Sequence, residues 1–400
     1  MVRTRPIRPL RALPLATLLL FAAALVAATC GFVVAGQAQT PFYVPTEQEL
    51  AGPPGSIIRT EPMAGAPDNA AAYRVLYRSV GLHDEPIAVS GVIVIPTGPE
   101  PPGGRPIVAW AHPTTGIVPR CAPSRALFAF QQIQGLRPMV DRGYVVAATD
   151  YPGLGTAGPH PYLVGTSEAR AVLDSVRAAR TFPGGGGNFI VWGHSQGGQA
   201  ALFTGLLANS YAPDLNLLGV AAAAPATELT RLMTADLGTN GGRNLTAMTL
   251  WSWERVFGAP MQRVLDPSAI PVVNRLAEEC IESAFDIMVR RQTAKPLEDR
   301  FLSVANPVDL EPWRSLAASN TVGVLPRGMP VFLAQGGDDQ LVQPEITNDY
   351  MRRLCQAGSP VRFLVLPGVN HGFIGRDSAG AAVEWMAERF AHAALPSNCP

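Results

Sequence analysis

The 400-residue sequence has little charge, only six histidines and none of the close ligand spacings that hold metals. Charged residues make up 16% of it, and 31 basic residues balance 31 acidic ones. A nucleic-acid partner is therefore not expected, because such proteins carry a basic excess or a basic patch. Since neither C-x-x-C nor H-x-x-x-H occurs, we expect no metal and no cofactor. Hydrophobic residues, at 47%, allow a large core.

Charge is also absent from residues 12–36, a run that directly follows four arginines. A basic segment before an apolar one is typical of an export signal, and small residues near Ala38 offer a cleavage site. We therefore predict a signal peptide over residues 1–38 and a secreted or periplasmic protein. An uncleaved membrane anchor and a lipid-modified Cys30 are the alternatives.

Four cysteines follow the predicted signal: Cys121, Cys280, Cys355 and Cys399. In an exported chain, four cysteines predict two disulfides. The count allows three pairings.

The rest of the chain alternates between strand-like and helix-like patterns. Residues 39–72 are rich in Pro, Gly and Ala and predict an extended lead-in. From residue 73 onwards, short apolar runs such as "RPIVAWAHP", "NFIVW" and "MPVFLAQG" are typical of buried strands. Helical periodicity lies between them, and we expect one helix over "SRALFAFQQIQGLRPMVDRG", ending at Gly143. This alternation predicts an α/β fold, a mostly parallel central sheet with helices on both faces.

Residues 226–320 interrupt the alternation. They contain helical patterns but no clear buried strand, and they are too long for a loop. We predict a helical cap or lid here, inserted into a core made of residues 73–225 and 321–400.

One serine has the surroundings of a nucleophile. Gly193-x-Ser195-x-Gly197 lies between the strand "NFIVW" and a helical pattern, as a nucleophile on a sharp turn requires. Serine needs an adjacent base that is itself oriented by an acid. Of the six histidines, His371 in "LPGVNHGF" follows the last strand and is the predicted base.

The acid is expected in the loop "GGDDQLV", which offers Asp338 and Asp339. We prefer Asp339, because Asp338 is followed by one more loop residue, but the sequence does not fully separate the two. The oxyanion requires backbone N–H donors. Gln196, directly after the serine, is one; Thr114 in "WAHPTTG" is the first choice for the other, with Thr115 the second.

Taken together, "GHSQGG", "WAHPTTGIVPRCAPS", "ATDYPGLGTAGPHPYLVGTSEARAVLDSVRAAR", "LAQGGDDQLV" and "PGVNHGF" resemble the secretory lipase family, the lipase A-type α/β-hydrolases. The similarity covers most of the chain after about residue 45. It implies an α/β-hydrolase fold, a triad of Ser195, Asp339 and His371, and a helical cap over an acyl-binding cleft. Pro113, where relatives often have glycine, departs from the pattern.

The resemblance also implies a disulfide between Cys121 and Cys280, which leaves Cys355 to pair with Cys399.

We therefore expect an exported serine hydrolase that cleaves small-molecule or lipid esters, either a triacylglycerol lipase or a lipase-like esterase. The alternatives are a serine peptidase or acyltransferase on the same fold, and a non-enzymatic binding protein. The apolar residues of the cap either bind an acyl chain or form the cap's own core; they are Leu250, Trp251, Trp253, Val256 and Phe257. Contact with a lipid interface and the oligomeric state stay open.

Overall fold

The computed structural model of the protein describes residues 41–394 and 397–399. The predicted signal peptide over residues 1–38 lies outside this part of the chain, and so does Cys30. Within the described part, no helix combines the length and the apolarity that crossing a membrane requires.

The described residues form a sheet of nine strands in the order β1-β2-β3-β5-β4-β6-β7-β8-β9. The strands are β1 (Ile57–Pro62), β2 (Ala70–Val80), β3 (Pro86–Pro96), β4 (Arg105–Ala111), β5 (Val145–Thr149), β6 (Gly185–His194), β7 (Asn216–Ala223), β8 (Val331–Gly336) and β9 (Val361–Leu366). The pairs β1–β2, β2–β3 and β3–β5 are antiparallel. The remaining neighbouring pairs, β5–β4, β4–β6, β6–β7, β7–β8 and β8–β9, are parallel. The predicted mostly parallel sheet is confirmed.

Helices cover the sheet and fill the long connection after β7. They are α1 (Glu47–Leu50), α2 (Leu136–Asp141), α3 (Gly165–Arg180), α4 (Gln196–Tyr211), α5 (Leu229–Ala235), α6 (Asn240–Phe257), α7 (Ile270–Glu278), α8 (Ala284–Ala294), α9 (Trp313–Ser319), α10 (Pro344–Gln356) and α11 (His371–Phe390). The helices α3 and α4 pack on each other and on the central strands, while α11 packs on β6 to β8 and on α2. Residues 189–194 of β6 are buried throughout, so both faces of the sheet are covered there. The pair α3 and α4 covers one face, and α11 with α2 covers the other.

In the N-terminal half, one strand was not anticipated and one expected helix was wrong. The predicted lead-in contains β1, which pairs with β2. None of its residues is fully buried, so it lacks the apolar run that marks a strand. The single helix expected up to Gly143 is replaced by short 3₁₀ turns, and only Leu136–Asp141 is α-helical. Gly135 adopts a left-handed φ of 84°, which interrupts any helix that would run through it.

Residues 226–320, which make up most of the connection from β7 to β8, are called the helical insertion below. It contains α5 to α9, and its described residues form an isolated β-bridge between Leu265 and Leu302. Leu250 and Trp253 of α6 are fully buried, and the Trp253 ring stacks on Trp313 with centroids 6.4 Å apart. These apolar side chains therefore belong to the insertion's own core.

The structure contains both disulfides that the resemblance implies. Cys121–Cys280 joins the chain after β4 to the helical insertion, and Cys355–Cys399 joins α10 to the C-terminal tail. Next to the first of these, the Ile281 N–H donates to the Thr115 carbonyl over 2.8 Å. The insertion is thus attached covalently and by hydrogen bonding to the loop that follows β4.

Candidate active site

Ser195 lies on a sharp turn between the end of β6 and the start of α4. Its backbone has φ 58° and ψ −119°, a left-handed conformation that a residue with a side chain rarely adopts. The two flanking glycines are required by space, because a Cβ on Gly193 would overlap the Gly197 carbonyl oxygen. A Cβ on Gly197 would overlap the carbonyl oxygen of Ala111. The Gly-x-Ser-x-Gly pattern thus follows from the close passage of three backbone segments.

His371 is the first residue of α11 and faces the serine. Its Nε2 lies 2.8 Å from Ser195 Oγ, and its Nδ1 lies 2.7 Å from Asp339 Oδ2. A neutral imidazole that donates from Nδ1 to the carboxylate leaves Nε2 free to accept the serine proton. The structure therefore brings the three residues, from three separate segments of the chain, into one chain of hydrogen bonds.

Asp339 is held more firmly than its neighbour Asp338. The N–H groups of Leu341 and Val342 each donate to Asp339 Oδ1 over 2.9 Å, and Gln335 Nε2 donates to Oδ2 over 3.2 Å. Asp339 is buried, whereas Asp338 is exposed. The preference for Asp339 agrees with this geometry, although the sequence argument for it did not include these contacts.

The two residues expected to donate to an oxyanion lie at neighbouring points of the fold. Gln196 begins α4, so its N–H is among the first-turn amides that have no carbonyl partner within their own helix. Thr114 is half-buried in the loop after β4. Because Gly197 closely approaches the carbonyls of Ala111 and His112, that loop runs against the first turn of α4. The donor roles of Gln196 and Thr114 stay predictions.

His194 supports the base, a contact that the sequence reasoning missed. Its ring Nε2 lies 3.0 Å from the His371 carbonyl oxygen, and its Nδ1 lies 3.3 Å from Gln134 Nε2. Burial lowers the pKa of His194 to about 3, so the ring is neutral and donates one proton, from Nε2. The residue before the nucleophile thereby fixes the backbone of the residue that activates it.

A second missed cluster surrounds the Gln196 side chain. Gln196 Nε2 donates to His160 Nε2 and to Glu168 Oε1, over 2.8 Å in each case. All three residues are buried, and His160 Nδ1 lies 2.8 Å from the Pro152 carbonyl oxygen. Glu168 was detectable in the sequence, because it precedes Val172 by four residues and so lies on the apolar face of its helix.

Burial keeps this cluster uncharged. It raises the pKa of Glu168 to about 8 and lowers the pKa of His160 to about 3. At neutral pH the carboxyl is therefore mostly protonated, and the imidazole is neutral with its proton on Nδ1. This assignment lets Gln196 donate one of its two amide protons to each neighbour.

The comparisons with known proteins find similarity to lipases. A family model described as secretory lipase matches residues 129–398. A probable inactive lipase of Mycobacterium tuberculosis is 23% identical over 370 residues, covering 88% of this chain and 82% of the relative. A secreted triacylglycerol lipase of Malassezia globosa is 25% identical over 381 residues, covering 87% of this chain and 78% of the relative.

Among solved structures, the closed state of Candida antarctica lipase A matches with a TM-score of 0.74 at 18% identity. The match covers 90% of this chain and 87% of the other. At this identity the likeness concerns the fold, and it confirms the predicted α/β-hydrolase class.

Proposed function

The chain belongs to the secretory lipase family, and from this premise we propose that it hydrolyses carboxylic esters through an acyl-enzyme on Ser195. The observation that carries the proposal is the hydrogen-bonded chain from Ser195 through His371 to Asp339, at 2.8 and 2.7 Å. A serine is a weak nucleophile at neutral pH, and a base at this distance activates it by removing its proton.

In the proposed mechanism Ser195 Oγ attacks the ester carbonyl carbon, and its proton passes to His371 Nε2. The C–O bond to the alcohol then breaks, and His371 returns that proton to the leaving oxygen. Water enters, gives a proton to His371 and its oxygen to the acyl carbon, and the acid leaves as Ser195 regains its proton. Asp339 keeps the imidazole in the Nδ1–H form and stabilises the imidazolium.

The negative charge on the carbonyl oxygen is proposed to fall between the N–H groups of Gln196 and Thr114. Fixed backbone donors stabilise such a charge without having to reorient, and removing one typically lowers kcat by about 10²–10³-fold. Support comes from the passage of the Thr114 loop against the first turn of α4.

We propose that the substrate is a lipid or another apolar ester and that the helical insertion caps the site. The Cys121–Cys280 disulfide and the Ile281–Thr115 hydrogen bond hold the insertion beside the loop that carries Thr114. The Malassezia relative is named as a triacylglycerol lipase, which favours long-chain esters.

A non-enzymatic protein on the same scaffold is the second candidate, since the mycobacterial relative is named as a probable inactive lipase. The contact of Ser195 with His371 favours the enzyme, because a scaffold that only binds has no need of this geometry.

The protein belongs outside the cytoplasm, since its family is a secretory one and disulfides form in oxidising compartments. We propose in addition that residues 1–38 are removed as a signal peptide.

Hydrolysis of p-nitrophenyl esters from acetate to palmitate tests the proposal. We expect activity in the wild-type protein, loss of it in Ser195→Ala, and retention in Ser210→Ala, which removes an exposed hydroxyl further along α4. Strongest activity on long chains identifies a lipase, and activity restricted to short chains identifies an esterase. Wild-type protein that hydrolyses none of these esters contradicts the proposal and favours a peptidase, an acyltransferase or a binding protein.

A further inference from the structure

Both proposed oxyanion donors are contacted by side chains of one short loop, residues 160–162. His160 Nε2 accepts from the Gln196 side chain over 2.8 Å, as described above. Two residues later, the Tyr162 hydroxyl lies 3.0 Å from Thr114 Oγ1. The side chains of His160 and Tyr162 are both buried, whereas Thr114 is half-buried. A single backbone segment thus reaches the two residues whose amides are proposed to face the oxyanion.

The backbone of this loop is in turn held by α6 of the helical insertion. Ser252 Oγ donates to the His160 carbonyl over 2.7 Å and accepts from the Tyr162 N–H over 3.1 Å. On the next residue, Trp253 Nε1 donates to the Tyr162 carbonyl over 2.9 Å. Ser252 and Trp253 are fully buried. Two consecutive side chains of the insertion therefore satisfy three backbone groups of the loop.

The loop's contacts matter because the turn at Ser195 is strained. A non-glycine residue at φ 58° persists only where the surrounding structure holds it there. With both amide protons of Gln196 engaged, its side chain is fixed, and the backbone next to the strained serine is fixed with it. On the opposite side, the Tyr162 hydroxyl contacts Thr114 itself, whereas the Ile281 N–H holds the carbonyl of the next residue, Thr115.

We propose that residues 160–162 are a positioning loop through which Ser252 and Trp253 of the helical insertion hold both oxyanion donors in place. His160 and Tyr162 act on Gln196 and Thr114, and do not touch the reacting atoms themselves. The inference rests on the proposed function, since it assigns a task to the same site. It makes the insertion part of the catalytic geometry as well as a cover over it.

A positioning role and a merely structural role predict different kinetics. An oxyanion interaction exists only in the transition state, so its loss lowers kcat and kcat/KM together and leaves KM nearly unchanged. A structural defect lowers the free energy of unfolding and the amount of active protein, but not the rate per active site. Counting active sites with a fluorophosphonate separates the two.

The first test compares Ser252→Ala with Thr249→Val. Both delete one buried hydroxyl from α6, but Thr249 Oγ1 donates only to the Leu245 carbonyl of its own helix. We expect similar small losses in Tm for the two variants. Per active site, Ser252→Ala should lower kcat about tenfold or more with KM changed by less than about twofold. Thr249→Val should retain the wild-type kcat.

Affinity for a transition-state analogue gives an independent measure. The inhibition constant of an alkylboronic acid should rise in Ser252→Ala by the same factor by which kcat/KM falls. Equal kcat values in Ser252→Ala and Thr249→Val, or an unchanged inhibition constant, overturn the positioning role.

The second test is a double-mutant cycle that leaves the insertion intact. Tyr162→Phe and Thr114→Val each remove one of the two hydroxyls that face each other over 3.0 Å, with little change in shape. If Tyr162 acts through Thr114, each substitution lowers kcat several-fold. The kcat of the double variant should then be no lower than that of the less active single variant. Effects that multiply in the double variant contradict the coupling.

These outcomes are distinct from failure of the proposed function. If the wild-type protein hydrolyses esters and Ser195→Ala does not, the proposed function stands whatever Ser252→Ala does. If Ser195→Ala keeps its activity, the nucleophile is wrong and the positioning loop loses its task as well.

Discussion

The parallel half of the sheet and the helical insertion are both apolar in sequence, but they use apolar residues differently. In β8 every residue is buried, and the chain beyond its end supplies Asp339. In the insertion, α6 packs Leu250 and Trp253 into a local core, whereas α8 leaves Phe285 66% and Met288 60% exposed.

The difference shows that apolarity alone does not tell a core residue from a surface residue. In the sheet, burial on both faces is dictated by parallel pairing, so each apolar run has one interpretation. A short helix in an insertion has only one side against its neighbours, and either side can be apolar. Chemistry is accordingly carried by the loops after the strands, and the insertion acts on it through contacts such as those of Ser252.

The largest effect is expected at the sheet, from Asp339→Asn. The amide cannot hold His371 in the required tautomer, so kcat should fall by about 10⁴-fold with the fold intact. Asp338→Asn is the matched control, since that side chain is exposed, and it should leave kcat within about twofold of wild type. Steady-state hydrolysis of one p-nitrophenyl ester measures both. A loss in Asp338→Asn as large as that in Asp339→Asn would assign the acid to the wrong aspartate.

A smaller effect, on stability and not on chemistry, is expected inside the insertion. Leu250→Ala should lower the free energy of unfolding by about 2–5 kcal/mol, because it leaves a cavity in a closed core. Met288→Ala on α8 should change it by less than about 0.5 kcal/mol. Urea denaturation gives both values. If Leu250→Ala keeps its stability and instead changes the preferred acyl chain length, Leu250 lines the substrate site and the comparison fails.

The smallest effect is expected from Glu168→Gln, and it depends on pH. Burial raises the Glu168 pKa from 4.5 to about 8 in the folded protein, so the folded state keeps a proton that the unfolded state releases. The wild-type protein therefore loses stability as pH rises from about 5 towards 8, and a glutamine does not contribute this loss. The Tm of Glu168→Gln minus that of the wild type should therefore be a few degrees more positive at pH 9 than at pH 5. A Tm difference that is the same at both pH values would contradict the buried, protonated carboxyl.

The central strands and the order of the site residues could be predicted because local rules determine them. A buried parallel strand is a short apolar run, and the turn at Ser195 requires Gly193 and Gly197 in the sequence itself. The strand β1 escaped prediction, since none of its residues is fully buried and its composition is that of a loop. The helix expected before Gly143 was wrong because Gly135 adopts a left-handed φ, which an apolar pattern does not reveal.

The contacts of residues 160–162 with distant segments could not be predicted. His160 lies 36 residues before Gln196 and 92 before Ser252, and nothing in its proline-rich surroundings indicates either partner. Only the folded chain shows that the loop between them bridges the insertion and the site.

The central claim, that Ser195 is a nucleophile activated by His371 and Asp339, is tested most directly by covalent labelling. The protein is treated with a fluorophosphonate, and its peptides are examined by mass spectrometry while the rate of labelling is followed. The account predicts a single adduct on the peptide containing Ser195, formed far more slowly in His371→Ala and in Asp339→Asn. An adduct on a different residue, or labelling of Ser195 at the wild-type rate in both variants, would contradict it.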